Sequence, residues 1–370
     1  MYFGDRPKVR REDFYDRDEE LRKLVDSLRK GTALTVIKGL RRLGKSSLML
    51  IGLSSSGSPY MLIDCRQFEE VAYSSRRALI EVLEESVNNF IRAHGGLWST
   101  LKEYLKKVRG VKVGEFSVVF SWTTEKPLSM TGLFDTLNRF AVDRGIKVLI
   151  AIDEAQQLKK IANFNFSKLF AHIYDYKGNL QLLLTGSQVG LLDDLLGVED
   201  PSSPLYGRAR SEISLGRFSV EQSREFLEKG FGQCKMKVES KTIEHAVEKL
   251  DGIVGWLSNF GWQCYLEGRI SKDLIDKLMG EAAGLASKEF ENFLKKRSAT
   301  DRYRAIMKRI AREPARWTQI KVHLEGETGV KIYDANLANL LDELLKADFL
   351  ESENGFYKIA DPVLIHALSK

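Results

Sequence analysis

Along the first 217 residues, short apolar runs alternate with stretches of helical spacing. Leu21, Leu24, Val25 and Leu28 recur every three or four positions, which predicts a helix over residues 18–29. Residues 33–37 then read as a strand, and a helix should open beyond it and run through Ser47, Leu48, Met49 and Leu50. Residues 60–64 (YMLID), 147–152 (KVLIAI) and 180–185 (LQLLLT) predict further buried strands, and the short 212–215 (EISL) is the expected last one. Helices are expected over 76–93, 133–142 and 163–174. Continuous apolar strands separated by helices imply an α/β fold with a parallel sheet covered on both faces. Residues 95–130 break this rhythm with a basic helical piece at 101–108 and the alternating run VKVGEFSVVF, a pattern that reads as an insertion carrying a small hairpin.

Beyond Arg217 the strand pattern stops. Residues 219–285 read as helices, including 220–229, 242–250 and 256–267. From 288 onward, helices are followed by two apolar stretches, 349–351 and 355–359, joined at Asn354-Gly355, a hairpin signal. Three helices and a terminal hairpin make a winged-helix pattern. The expected domains are therefore 1–217, 218–287 and 288–370.

Composition changes little in this picture. Of the 370 residues, 43% are hydrophobic and 29% charged, an ordinary globular balance. No apolar run approaches the 18 residues of a membrane span, and the charged N-terminus lacks an apolar signal core, so an intracellular, cytoplasmic protein with no membrane partner is expected. Cys65, Cys234 and Cys264 lie far apart and read as reduced thiols, not as a disulfide framework or a metal knuckle. The five histidines show no metal-ligand spacing. The net charge of +6 permits an acidic partner such as nucleic acid without requiring one.

The chemistry is carried by residues 39–46. Gly39-Leu40-Arg41-Arg42-Leu43-Gly44-Lys45-Ser46 fits G-x-x-x-x-G-K-[ST] between a strand and a helix, with Ser47 continuing into that helix. The glycines let the backbone curl so that its N–H groups face phosphates, and the helix start adds positive potential. Lys45 would reach the β- and γ-phosphates of ATP, and Ser46 would offer its hydroxyl to Mg²⁺. The apolar run ending in Asp153-Glu154 supplies the second half: Asp153 for Mg²⁺, and Glu154 to polarise a water attacking the γ-phosphate. That pair argues for hydrolysis.

Other residues are open to two readings. Thr185 and Ser187, at the end of the strand 180–185, could sense the γ-phosphate or orient the water, or simply form a turn. Arg208 could neutralise charge on the γ-phosphate, or be a surface or salt-bridged arginine. Asp16 could cap the first helix with Glu19 as its capping-box partner.

FYDRDEEL, GLRRLGKSS, IAIDEAQQL, LTGSQ, PLYGR, DGIVGWL and FYKIADPVL together resemble the archaeal ATPase family of P-loop proteins, within the wider AAA+ and STAND group. The resemblance spans nearly the whole chain. It implies a three-layer αβα nucleotide domain, a helical lid and a C-terminal winged helix. It implies that Asp16 and Arg17 lie near the adenine end of an ATP or ADP site, and that Arg208 is close to the phosphates or to a neighbouring subunit, which would need an oligomer. Two departures stand out. Leu40 replaces a frequent proline and should be tolerated, and Asp251-Gly252-Ile253-Val254-Gly255 lacks the proline of the usual lid motif.

Three uses of the ATP follow. The first is a slow ATPase acting as a conformational switch. The second is an ATPase of origin-recognition or loader type that binds DNA through the winged helix. The third makes the winged helix a protein-interaction or autoinhibitory module. Charge weighs on the second: residues 288–316 carry net +6, whereas 317–370 carry net −4. The expected recognition helix, 333–345, holds Asp334, Asp342 and Glu343 and no Lys or Arg, whereas a major-groove helix needs cations for phosphate contacts. Contact through the basic stretch 295–316 stays open. Leu337, Leu340, Leu341, Leu344 and Leu345 read as core.

Overall fold

The computed structural model describes residues 1–69, 71, 73–123, 127–295 and 297–368. Part of the expected insertion (124–126) and of the basic stretch (Lys296) lies outside the described residues.

Five parallel strands form the central sheet: β1 (Leu34–Lys38), β2 (Tyr60–Asp64), β5 (Val148–Asp153), β6 (Leu180–Gly186) and β7 (Ser211–Ser214), in the order β2-β5-β6-β1-β7. The runs β1, β5 and β6 are buried along their whole length, as expected for strands covered on both faces. Alternate residues feed two cores. Ile37, Leu149, Ala151, Leu183 and Ile213 pack on one side, while Val36, Ile63, Ile150, Leu182 and Leu184 pack on the other. Each such fully buried side chain contributes roughly 1.5–3 kcal/mol. The result is a three-layer αβα P-loop fold.

The short antiparallel pair β3 (Val111–Val113) and β4 (Val118–Phe120) is the expected hairpin. The helix before it spans Gly95–Leu105, six residues earlier than its basic residues suggest. Trp98, Leu101, Leu105, Val118 and Phe120 join the core of β2 and β5, so this segment covers the edge of the sheet.

One local expectation is overturned. Asp16 does not cap the helix Asp18–Lys30: Arg17 is its N-cap, in left-handed geometry, with no side-chain cap. The Asp16 carboxylate instead accepts a hydrogen bond from Gln222 Nε2, 2.5 Å away, on the helix Val220–Gln233. A long-range partner has displaced the local one.

The helices Val220–Gln233, Ser240–Leu250, Val254–Glu267 and Lys272–Leu294 form the lid region, and the expected break at 287 falls inside the last of them. The winged helix follows with helices Thr300–Arg312, Trp317–Thr328 and Asp334–Lys346. Its sheet has three strands, β8 (Ala315–Arg316), β9 (Leu350–Glu353) and β10 (Phe356–Ile359), in the order β8-β10-β9. A two-residue strand such as β8 leaves no readable alternation. Leu337, Leu340, Leu341 and Leu344 are buried as expected, and the apolar core runs unbroken from one face of the central sheet through the lid into the winged helix.

Candidate active site

The C-terminal ends of β1, β5 and β6 meet at one edge of the sheet, because the register sets Ile37 beside Thr185 and Ile152 beside Leu184. In an open α/β sheet, ligands bind at this edge. The loop after β1 turns at Gly39, whose φ is +149° and where a Cβ would meet the Leu215 carbonyl oxygen at 2.5 Å. The helix Lys45–Ser56 then opens at Gly44 with no side-chain cap and no acid in its first turn. Its first N–H groups are therefore left for an outside acceptor, the arrangement that suits a phosphate.

Around this helix start, the sequence-predicted residues come together. Lys45 is only 4% exposed and donates to the Leu40 carbonyl at 2.6 Å. Ser46 Oγ donates to Asp153 Oδ2 at 2.9 Å. The Thr185 hydroxyl donates to Asp153 Oδ1 and accepts the Glu154 N–H at 3.1 Å. Glu154 Oε2 accepts from the Ser187 hydroxyl at 2.6 Å and from Gln156 Nε2 at 2.5 Å. Thr185 and Ser187 thus face the two carboxylates.

The electrostatics separate these groups. Burial raises the Asp153 carboxyl above its ordinary value against the pull of Thr185 and Ser46. For Glu154, burial is outweighed by Lys45, Ser187, Gln156 and Arg41, and the carboxyl falls below its usual range. Burial lowers Lys45, while Glu154, Asp348 and Asp153 oppose it. Burial works against the Arg41 charge too, but Glu289, Glu69 and Glu154 hold that guanidinium above its usual value.

A cavity of about 600 Å³ lies over the loop. Arg41, Arg42, Leu43, Gly44, Lys45, Ser46 and Ser47 of the loop line it, with Arg66, Glu154 and Ser187. Aromatic side chains line it too: Phe14, Trp256 and the mutually packed Tyr15, Phe218 and Phe226. Arg17 joins them, its guanidinium 4.8 Å from the Phe218 ring, whereas Asp16 is turned to Gln222. The size and the combination of cationic and aromatic lining fit a nucleotide. The Ser46 hydroxyl and the Asp153 carboxylate fit Mg²⁺, which takes few protein ligands and completes its shell with water and phosphate oxygens. No cluster of three or more His, Cys, Asp or Glu that could hold a metal occurs among the described residues.

Arg208 is placed elsewhere. It pairs with Asp175, Nε to Oδ1 at 3.0 Å and Nη2 to Oδ2 at 2.6 Å, and it does not line the cavity. Arg66 does, with Nε 3.8 Å from Asp153. Sequence reasoning passed over it, although its place just beyond β2, the neighbour of β5, was a usable signal. The N-terminal segment was also missed. Gly4, Pro7 and Lys8 line the cavity, and the Lys8 N–H donates to Ser47 Oγ at 2.9 Å. Nothing in their spacing announces this.

The lid closes directly on the loop. The Gly255 N–H donates to the Arg42 carbonyl at 2.8 Å, and a Cβ on Gly255 would meet Arg42 Cβ at 2.7 Å. The glycine, not a proline, sets this contact. Arg42 also lies over the Trp256 ring at 4.3 Å and pairs with Glu289 at 2.9 Å and with Asp361 at 3.6 Å.

The chain is similar to known proteins in both its nucleotide and winged-helix parts. A family model described as an ATPase domain predominantly from Archaea matches residues 14–260. A model of the MCM protein C-terminal winged helix-turn-helix domain matches residues 297–360. Among solved structures, the Walker-type ATPase PABY2304 of Pyrococcus abyssi is 37% identical over 100% of both chains, with a TM-score of 0.81. The ORC2 protein of Aeropyrum pernix, solved as ADPNP–ADP complexes, covers 99% of this chain and 97% of its own with a TM-score of 0.58. Its 15% identity makes that likeness one of fold. A search of curated protein sequences gives no match. With a family match that runs from Phe14 to Phe260 and an identity of 37% along a whole Walker-type ATPase, this chain belongs to the predominantly archaeal ATPase family.

Proposed function

We propose that this ATPase is a nucleotide-controlled switch, in which occupation and hydrolysis at the phosphate loop set the position of the lid and the winged helix. One observation carries the reading: Arg41 and Arg42 of the loop are ion-paired with Glu289 of the lid helix, and Arg42 also with Asp361 of the winged helix. Phosphates arriving at the loop compete for the same two cations, so nucleotide binding and domain position are coupled.

In this reading the loop N–H groups and Lys45 bind the β- and γ-phosphates of ATP, and Phe218, Arg17 and Trp256 enclose the base end. Ser46 and Asp153 hold Mg²⁺, which supplies charge neutralisation at the phosphates. Glu154 is ionised and draws a proton from the attacking water. Ser187 and Gln156 fix its orientation, and Thr185 fixes Asp153. Arg66, although paired with Asp64, lines the cavity and is placed to act on charge at the γ-phosphate from within the chain, while Arg208, paired with Asp175, is left to the neighbouring-subunit role.

A DNA-binding use of the winged helix has less support. The helix Asp334–Lys346 is acidic, and its end packs on the core, where Lys346 pairs with Asp194 at 3.4 Å. Several cations of the basic stretch are already engaged: Arg297 with Glu343, Arg304 with Glu291 and Arg309 with Glu313. A DNA or protein partner would meet the winged helix after it leaves the core.

The test is phosphate release by the wild type and by Glu154→Gln, with nucleotide binding measured in both and DNA added in a second series. Slow release, lost in Glu154→Gln while binding persists, supports the reading. Equal release by the variant contradicts it. Stimulation by DNA restores the nucleic-acid role.

A further inference from the structure

We propose that residues 2–8 form a strap that gates the nucleotide cavity, so that nucleotide enters and leaves when the strap lifts. The inference rests on the reading of that cavity as the nucleotide site.

One end of the strap is anchored in the lid. Phe3 is 1% exposed. It fills a slot between two lid helices, opened by Gly230 of Val220–Gln233 and Gly261 of Val254–Glu267. A Cβ on Gly230 would meet Phe3 Cζ at 2.2 Å, and one on Gly261 would meet Phe3 Cδ1 at 2.4 Å. The ring packs edge-on against Phe231 at 5.0 Å and Phe226 at 5.7 Å. Hydrogen bonds flank it on both sides. The Tyr2 N–H donates to Gln233 Oε1 at 2.7 Å, and the Gly4 N–H donates to Ser258 Oγ at 3.2 Å. The Ser258 hydroxyl donates back to the Gly4 carbonyl at 3.1 Å. A close-packed slot of this kind fixes the strap to the lid through its shape.

The other end reaches the phosphate-loop helix Lys45–Ser56, where the Lys8 N–H donates to Ser47 Oγ at 2.9 Å. The Lys8 ammonium turns back to the Met1 and Phe3 carbonyls, at 3.0 and 2.9 Å, and so closes the strap into one loop. Between the two ends, Asp5, Arg6 and Pro7 line the cavity and are also exposed to solvent. A segment with the cavity on one side and solvent on the other is a wall one chain thick. Among the described residues, no hydrogen bond or ion pair holds these three to the lid or the core. A segment with few buried contacts and no hydrogen bonds along its middle opens more readily than the packed elements on either side. Because Phe3 sits in the lid, the strap travels with the lid, and the Lys8–Ser47 bond parts as the cavity opens. Such opening steps commonly limit product release.

A gate differs from a binding wall in its kinetics. Weakening a gate speeds entry and exit alike and leaves affinity nearly unchanged. Weakening a wall that holds the nucleotide speeds exit alone and lowers affinity by the same factor.

The experiment is stopped-flow fluorescence on the full-length chain with Mg²⁺ and mant-ADP. Association is followed on mixing, and dissociation on chasing with excess ADP, for wild type, Phe3→Ala and Ser258→Ala. Circular dichroism checks that each variant is folded. Ser258→Ala removes the Gly4 hydrogen bonds and leaves the Phe3 slot intact, so it serves if Phe3→Ala does not fold. In Phe3→Ala both rate constants should rise by about tenfold, and in Ser258→Ala by about threefold, with Kd changed by less than about twofold. Unchanged rates in the folded variants overturn the inference. A rise in the dissociation rate alone, with affinity lost in proportion, overturns it too, and both results leave the cavity as the nucleotide site. Failure of the wild type to bind mant-ADP overturns that reading as well.

Discussion

Ser46 Oγ donates to Asp153 Oδ2 at 2.9 Å, joining the start of the phosphate-loop helix to the end of β5 across 107 residues of chain. A hydrogen bond to a charged group contributes about 1.5–3 kcal/mol, so this link holds both proposed Mg²⁺ ligands in register before the ion arrives. The same carboxylate takes the Thr185 hydroxyl on its other oxygen. The site is therefore preorganised on the metal side by neutral hydroxyl groups, each from a different element.

That arrangement makes Thr185 separable from its neighbours. Thr185→Val keeps the shape but leaves the buried Asp153 oxygen and the Glu154 N–H without their partner. A loss of about 1–3 kcal/mol in unfolding free energy is expected, with a fall in phosphate release larger than the fall in nucleotide affinity. Urea denaturation and single-turnover assays check the two parts.

Gly255 offers a test of the lid contact. In Gly255→Ala the new methyl group collides with Arg42, and overpacking of this kind costs about 1–3 kcal/mol. Nucleotide affinity should weaken and protease cleavage within residues 216–290 should rise, while the sheet core stays protected. Hydrogen exchange resolves lid from core directly.

The pH profile should report the environment of Glu154. Its carboxyl is held below the ordinary value of 4.5, so the base form is present throughout neutral pH and is lost only as pH falls below that value. Phosphate release should therefore show no acid limb from Glu154 between pH 6 and pH 8, a span well above an ordinary glutamate. An acid limb inside that span that disappears in Glu154→Gln would contradict this assignment.

Thiol chemistry gives an independent check on packing. Cys65 and Cys264 are fully buried, and burial pushes Cys264 up to about 12 and Cys65 well above its ordinary value. Cys234 is partly exposed. A maleimide should label Cys234 first in the native protein, with the other two reacting only on unfolding.

The nucleotide chemistry was legible in the sequence because a phosphate loop must be contiguous. Gly39 to Ser46 carry their meaning in their spacing, and Asp153-Glu154 gain theirs from the apolar run before them. What escaped was placed by tertiary contact. Asp16 has every local mark of a helix cap, yet Gln222, 206 residues away, claims it. Arg208 lies in a pair with Asp175, one of the two readings its sequence left open, while Arg66 reaches the cavity from the end of a neighbouring strand. Lys8 and Asp348 stand at opposite ends of the chain, and only the fold brings both to the phosphate loop.

The most direct test of the switch is a distance between domains. Spin labels at the exposed Lys30 and Glu327, in a Cys234→Ser and Glu154→Gln background, report the core and the winged helix separately. One short distance is expected with Mg²⁺–ADP, and a second, longer population when Mg²⁺–ATP is bound and cannot be hydrolysed. A single unchanged distance with both nucleotides bound would contradict it.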